Sequence, residues 1–185
     1  MVFDQGSVQA ARIRKKANYE DVRVTLIGTL DGAHCSVQID VGYGDAVTPA
    51  AERVQFPALL EDVKPPSLRA YPVYTVIAEK YEAIVSLGMA NTRLKDYFDL
   101  WFLATYAQID EDVLQQAIQA TFARRRTEVP KVVPIGLSDS FMISLIKQQQ
   151  WQAFLSKSKF MASGFIEVPA VLWRLLGVPK SGATS

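Results

Sequence analysis

Between Val22 and Leu30 apolar and polar residues alternate, with Val22, Val24, Leu26 and Leu30 on one side and Arg23, Thr25 and Thr29 on the other. A second alternation sets Val37, Ile39 and Val41 against Gln38 and Asp40. Between the two lies Asp31-Gly32, a dipeptide that tight hairpin turns favour because both positions take a positive φ. The pattern predicts a β-hairpin over 22–41 with one packed face, and it puts Asp40 on the polar face near the end of the second strand. Residues 1–11 show no comparable pattern and read as a chain beginning in mid-domain. Gly42, Gly44 and Pro49 end regular structure, with Asp45 in that loop. Residues 50–70 read as short strands and loops broken by Pro57 and Pro65-Pro66.

From Pro72 onward the period changes to that of helices. Pro72 suits the start of a helix, and the spacing predicts helices over 73–87, 92–106 and 111–125. The third carries Val113, Leu114, Ala117, Ile118 and Phe122 at helical spacing. Its acidic start and its arginines 124–126 suit the helix dipole. A proline-punctuated connector over 127–138 follows. Helices are then expected over 140–149, 151–157 and 168–176, the last stopped by Gly177, with a frayed tail from Lys180. Strands first and helices after give an α+β class. The expected organisation is 1–70 as a small sheet region, 71–126 as a first group of helices and 127–185 as a C-terminal helical region.

Composition narrows the function classes. The 185 residues are 49% hydrophobic and 21% charged, which is ordinary for a globular chain. A net charge of +1 supplies no long-range field toward nucleic acid or membrane, so any nucleic-acid contact must come from a local patch. One cysteine, Cys35, rules out an internal disulfide, and with one histidine, His34, there is no zinc set. No apolar run approaches the roughly 20 residues that span a bilayer, and the N-terminus has no signal-peptide core. These features point to a cytoplasmic protein without a membrane partner.

Several residues carry candidate chemistry. On a wheel of the helix over 73–87, Lys80 falls among Val76, Ile77, Ile84 and Leu87. A lysine in an apolar stripe is expensive unless its ammonium meets an anion. It either snorkels outward or pairs with a structural carboxylate, or else it reaches a phosphate or a catalytic carboxylate. In the next helix Tyr97, Phe98, Trp101 and Phe102 cover most of the circumference, leaving Lys95, Asp96 and Asp99 as a narrow polar stripe. That stripe reads either as a solvated face with a Lys95–Asp99 pair at i,i+4 or as a functional one. Asp40, in Ile39-Asp40-Val41, is placed to bind a divalent cation, although many wet strand faces carry such a residue. Gly6-Ser7 imitates the glycine turn that opens a nucleotide cradle, but no Asp-x-Asp follows it; the basic residues Arg12, Arg14, Lys15 and Lys16 do. Arg124, Arg125 and Arg126 could touch RNA phosphates or simply serve a helix C-terminus.

These pieces occur in a specific order. The run Val37-Gln38-Ile39-Asp40-Val41-Gly42-Tyr43-Gly44-Asp45 through Pro49 resembles the signature strand and turn of the AbiEii/AbiGii toxin family. Thr75-Val76-Ile77-Ala78-Glu79-Lys80, followed by Arg93-Leu94-Lys95-Asp96-Tyr97-Phe98-Asp99-Leu100, resembles that family's later motifs. Lys147-Gln148 and Gln150-Trp151, with Phe154-Leu155, resemble the C-terminal helices of one bacterial branch. The resemblance implies a partial nucleotidyltransferase sheet, like that of DNA polymerase β, followed by a helical region. It implies a bacterial toxin of a toxin–antitoxin, abortive-infection system that uses NTP and Mg2+ and transfers NMP to an RNA acceptor such as tRNA. A cognate antitoxin is the implied protein partner. By the same resemblance, Asp40 matches a metal carboxylate, Lys80 the lysine near the triphosphate, and Arg93, Lys95, Asp96 and Asp99 the helix lining the cleft. Lys80, Asp96 and Asp99 are thus the catalytic candidates; Lys80, Lys95 and Arg93 are the nucleotide-binding ones.

The chain departs from the family pattern before Asp40, where no Gly-Ser followed by Asp-x-Asp occurs. Those elements hold the phosphates and two of three metal carboxylates. The sequence therefore reads as N-terminally truncated and inactive in nucleotide transfer by itself, with an exposed sheet edge that favours a homodimer. The alternative is a non-catalytic protein that binds an antitoxin or RNA.

Overall fold

The two alternating segments form the hairpin that their pattern predicts. In the computed structural model, which describes residues 1–13, 21–58, 60–158 and 165–177, strand β2 (Asp21–Leu30) pairs antiparallel with β3 (Ala33–Val41). Asp31 at φ 48° and Gly32 at φ 83° make the turn, the two positive values that a two-residue connection matching strand twist requires. The packed face is only partly covered: Val22, Val24, Leu26, Val37 and Val41 are half-buried, while Leu30 and Ile39 are exposed.

Residues 1–11 correct the sequence reading. They belong to a 12-residue strand, β1 (Val2–Ile13), that pairs antiparallel with β2 and completes a sheet of order β1-β2-β3. A register shift between Asp4 and Gln9 hid the strand's periodicity. Gly6-Ser7 forms this bulge. Gly6 N donates to Asp4 Oδ1 at 2.9 Å, Ser7 Oγ donates to Asp4 O at 2.6 Å, and Ile27 N donates back to Ser7 Oγ at 2.8 Å. The Gly-Ser pair thus serves the strand pairing. Arg14, Lys15 and Lys16 lie outside the described residues, as does the tail from Lys180.

The chain divides into two compact units, Met1–Asp45 and Ala46–Ser185. In the second, β4 (Glu52–Gln55) and β5 (Ser67–Ala70) form a two-stranded ribbon. Helices α1 (Val73–Leu87), α2 (Leu94–Tyr106) and α3 (Glu111–Arg125) follow. Asp110 caps α3, its Oδ1 accepting from Val113 N at 3.1 Å. Helix α2 starts two residues later than its pattern suggests, because Thr92 and Arg93 stay in a turn ahead of it. The C-terminal helices differ more. A short α4 (Asp139–Met142) is followed by one continuous α5 (Leu145–Ser158) rather than two pieces meeting near residue 150. The reason is that Lys147 and Trp151, one turn apart, both turn inward, so the helix must run unbroken between them. Helix α6 (Val168–Leu176) closes the bundle.

The core of this unit is aromatic. Trp151 stacks on Phe165 with centroids 4.9 Å apart, Tyr97 stacks on Phe141 at 5.4 Å, and Tyr81 meets Phe122 at 5.3 Å. The connector over 127–138 enters this core at Gly136, whose carbonyl accepts from Tyr97 Oη at 2.9 Å. A Cβ at Gly136 would lie 2.8 Å from both Ile84 Cγ2 and Ile84 O, and backbone cannot give way cheaply. Gly136→Ala is therefore expected to destabilise the protein by about 1–3 kcal/mol, read as a lowered urea midpoint at unchanged m-value. An unchanged midpoint would show that the connector is not packed as described.

Candidate functional site

Burial on α1 runs along Ile77, Ala78, Tyr81 and Ile84, while Leu87 is exposed. Lys80 therefore stands at the margin of the buried stripe rather than in its middle, and its side chain is 17% exposed. Its ammonium crosses to α2. Nζ donates to Asp96 Oδ1 at 2.7 Å and lies 2.8 Å from Asp99 Oδ2. Asp96 and Asp99 are three residues apart and so share one helix face, which is why a single lysine meets both. On either side stand two more cations. Arg93 Nε lies 2.8 Å from Asp96 Oδ2, and Lys95 Nζ donates to both Asp99 oxygens at 2.8 and 2.6 Å. The charges alternate along a row: Arg93, Asp96, Lys80, Asp99, Lys95. Three cations against two carboxylates leave the row with an excess of positive charge.

The members of the row are unequal. Asp96 is 5% exposed, whereas Lys95 is 65% exposed and Arg93 52%. The polar stripe expected on α2 is thus split: Lys95 is solvated, and Asp96 is buried under the lysine of the neighbouring helix. An exposed i,i+4 pair such as Lys95–Asp99 is worth only about 0.3–0.5 kcal/mol. Removing one partner of a buried pair leaves an uncompensated charge and costs about 3–5 kcal/mol. Lys80–Asp96 is the contact that matters for stability. Burial pulls the Lys80 pKa down, but the hydrogen bonds to Asp96 and Asp99 more than reverse this, so it stands above its ordinary value.

Residues to which the sequence assigned no part in this row hold it in place. Asn91 is fully buried ahead of α2; its Oδ1 accepts from Arg93 N at 2.8 Å, and its carbonyl accepts from Lys147 Nζ at 2.6 Å. Lys147 of α5, its ammonium 4.9 Å from the Phe141 ring centre, thereby pins the turn that aims Arg93. An asparagine just before a helix start is the signal that could have pointed to this turn. On the side of α1 that faces α3, Arg125 Nη1 lies 2.8 Å from Glu82 Oε2, Arg125 Nη2 lies 3.5 Å from Glu79 Oε1, and Thr127 Oγ1 donates to Glu82 Oε1 at 2.7 Å. Within the 124–126 run, Arg125 accordingly ties α3 to α1, and Arg126 ends α3 in a left-handed conformation at φ 57°.

Asp40 lies in the Met1–Asp45 unit, directly across the strands from Arg23. Arg23 Nε and Nη2 reach Asp40 Oδ1 and Oδ2 at 2.7 and 2.8 Å, and this hydrogen bonding raises the Arg23 pKa. Both Asp40 oxygens face a guanidinium, and all four oxygens of Asp96 and Asp99 face cations. Among the described residues, no group of three or more His, Cys, Asp or Glu is placed to hold a metal ion. The carboxylates as they stand do not fit a divalent cation.

Two outcomes test this ranking. Asp96→Asn is expected to lower stability clearly more than Asp99→Asn, and Lys80→Met to lower it by about 3 kcal/mol; equal losses for the two aspartates would refute the hierarchy. The Lys80 contribution is intact below the unfolded pKa near 10.5 and is lost as pH rises through the higher folded value. Burial also pushes the Tyr81 phenol up from 10 to about 12, so the folded state keeps a proton that the unfolded state releases above pH 10. Stability should therefore fall between pH 10 and 12, and fall less in Lys80→Met and in Tyr81→Phe.

The chain is matched over residues 2–172 by the family model of the nucleotidyl transferase AbiEii toxin, type IV TA system. No curated protein and no solved structure matches it. No helix among the described residues is long and apolar enough to cross a membrane. The chain belongs to the AbiEii nucleotidyl transferase toxin family.

Proposed function

We propose that this AbiEii family member carries the phosphate-facing part of a nucleotidyltransferase that moves NMP from an NTP to an RNA acceptor, tRNA being the acceptor class. The row of alternating charges on α1 and α2 carries this reading. Phosphoryl transfer depends mostly on positioning and charge neutralisation, and an ammonium fixed by two carboxylates needs little reorganisation when an anion arrives. In this reading Lys80, Lys95 and Arg93 meet phosphate oxygens, while Asp96 and Asp99 fix the Lys80 ammonium at the reacting end of the site. Asp40 is the proposed metal carboxylate, and Arg23 must release it before a cation such as Mg2+ can bind there.

By itself the 185-residue chain is proposed to be inactive in transfer, since its carboxylates are already neutralised by cations. The same pairing favours a second reading, a non-catalytic protein that binds RNA or a cognate antitoxin through its cationic side chains. A cytoplasmic location accords with either.

Thermal shift and a labelling assay test the proposal together. A ligand at one hundred times its Kd stabilises by about 2.7 kcal/mol. NTP is expected to raise the melting temperature of the wild type and to have little effect on Lys80→Ala, with no labelled tRNA formed. Equal shifts in both proteins would refute the phosphate role of Lys80. Robust Mg2+-dependent labelling of tRNA would refute the inactivity.

Each outer strand of the three-stranded sheet is paired to β2 alone among the described residues, and Val2, Phe3 and Val8 of β1 are exposed. A homodimer through this edge is the proposed assembly. Light scattering at high concentration is expected to give twice the chain mass; a clean monomer would count against it.

A further inference from the structure

Between the turn ahead of α2 and the middle of α5 lies a cavity of about 430 Å³, lined by Thr92, Arg93, Lys95, Gln150 and Phe154 among others. Its size falls in the range of roughly 300–1,000 Å³ common for small-molecule sites. Two of its walls, Arg93 and Lys95, are the outer cations of the charged row. The wall formed by α5 is chemically different. Gln150 Oε1 is buried and accepts no hydrogen bond among the described residues. A buried amide oxygen without a donor is unusual and unfavourable. Phe154 is half-buried beside it, with Trp151 and Phe98 packed against it at centroid distances of 5.7 and 5.9 Å. Its ring is therefore held in position.

We infer that this cavity receives a nucleobase, with the Gln150 carboxamide, whose oxygen gains no partner where it is buried, turning into the cavity to pair with the base edge, Phe154 packing on the base face, and Arg93 and Lys95 taking the attached phosphate. The inference rests on the nucleotidyltransferase reading and adds to it a residue that sets specificity. A carboxamide presents a donor and an acceptor side by side, and so matches the adjacent donor and acceptor of a base edge whichever way it is flipped. Aromatic side chains accept any base by its face, so selection falls to Gln150. An inorganic anion would use the two cations and leave the amide and the ring idle. The base can come from the NTP or from the last nucleotide of the RNA; the recognition chemistry is the same.

The test is titration calorimetry of the 185-residue chain without divalent metal. One series uses the four NTPs and inorganic triphosphate; a second uses short RNAs that differ only in their 3′-terminal base. In one series, the best base is expected to bind about tenfold tighter than the worst. If the NTPs show this preference, the cavity holds the donor nucleotide; if the RNAs show it, the cavity holds the acceptor end. Gln150→Ala should abolish the preference, Gln150→Glu (which keeps the shape and removes the donor) should reorder it, and Phe154→Leu should weaken all bases alike. The inference is overturned if neither series discriminates, or if both Gln150 variants keep the wild-type order. Should NTP still bind, weakened by Lys80→Ala, while Gln150 proves indifferent, the transferase reading survives and this inference alone falls. An absence of any NTP or RNA binding removes both.

Discussion

The ion pair between Lys80 and Asp96 is the contact on which the site depends. Asp96 is almost wholly withdrawn from water on a helix otherwise covered with aromatic side chains. Desolvating a carboxylate is costly by several kcal/mol unless a cation replaces the water. That cation comes from a different helix, so the electrostatic requirement of one residue fixes the relation between α1 and α2. Asp99 and the outer cations then fall into place on the same face. The row exists because one buried charge had to be answered.

The surrounding structure keeps the pair in its geometry from several directions. Arg125 and Thr127 grip Glu82 at the α3 side of α1, Lys147 holds the Asn91 turn from α5, and Tyr97 is tied to the Gly136 carbonyl. Each lock joins elements distant in sequence, and none lies in the row itself. A site built on packed helices and supported by such second contacts holds its charges with little freedom. Rigid placement of positive charge is what recognition of a polyanionic ligand requires.

Much of the framework was legible in the sequence, for local reasons. Pro72 opens α1, the acidic start and the arginine run bound α3, and Asp31-Gly32 marks the hairpin. Strand β1 was not legible, because the Gly6-Ser7 bulge breaks the two-residue period that identifies a strand. The break near residue 150 was misplaced because the polar run Gln148-Gln149-Gln150 looks like a boundary, whereas Lys147 and Trp151 require a continuous helix. At the site, the wheel of α1 marked Lys80 as a residue in need of an anion. It could not name Asp96, which lies on another helix and reads as solvent-facing on its own wheel. The family resemblance set Lys80 and Asp96 both among the catalytic candidates without pairing them. Asn91 escaped both routes, and Gln150 entered only as part of the Gln150-Trp151 resemblance, since the significance of each lies in burial that only the packed structure shows.

The central claim is that α1 and α2 present a fixed cationic surface organised by Lys80. Titration of the chain with inorganic tripolyphosphate, at low and at high salt, tests it without involving base, metal or turnover. The account expects saturable binding that weakens with salt and falls about tenfold in Lys80→Met under conditions where that variant is folded. The same affinity in wild type and Lys80→Met would contradict it and would leave the row of charges as a structural brace between two helices.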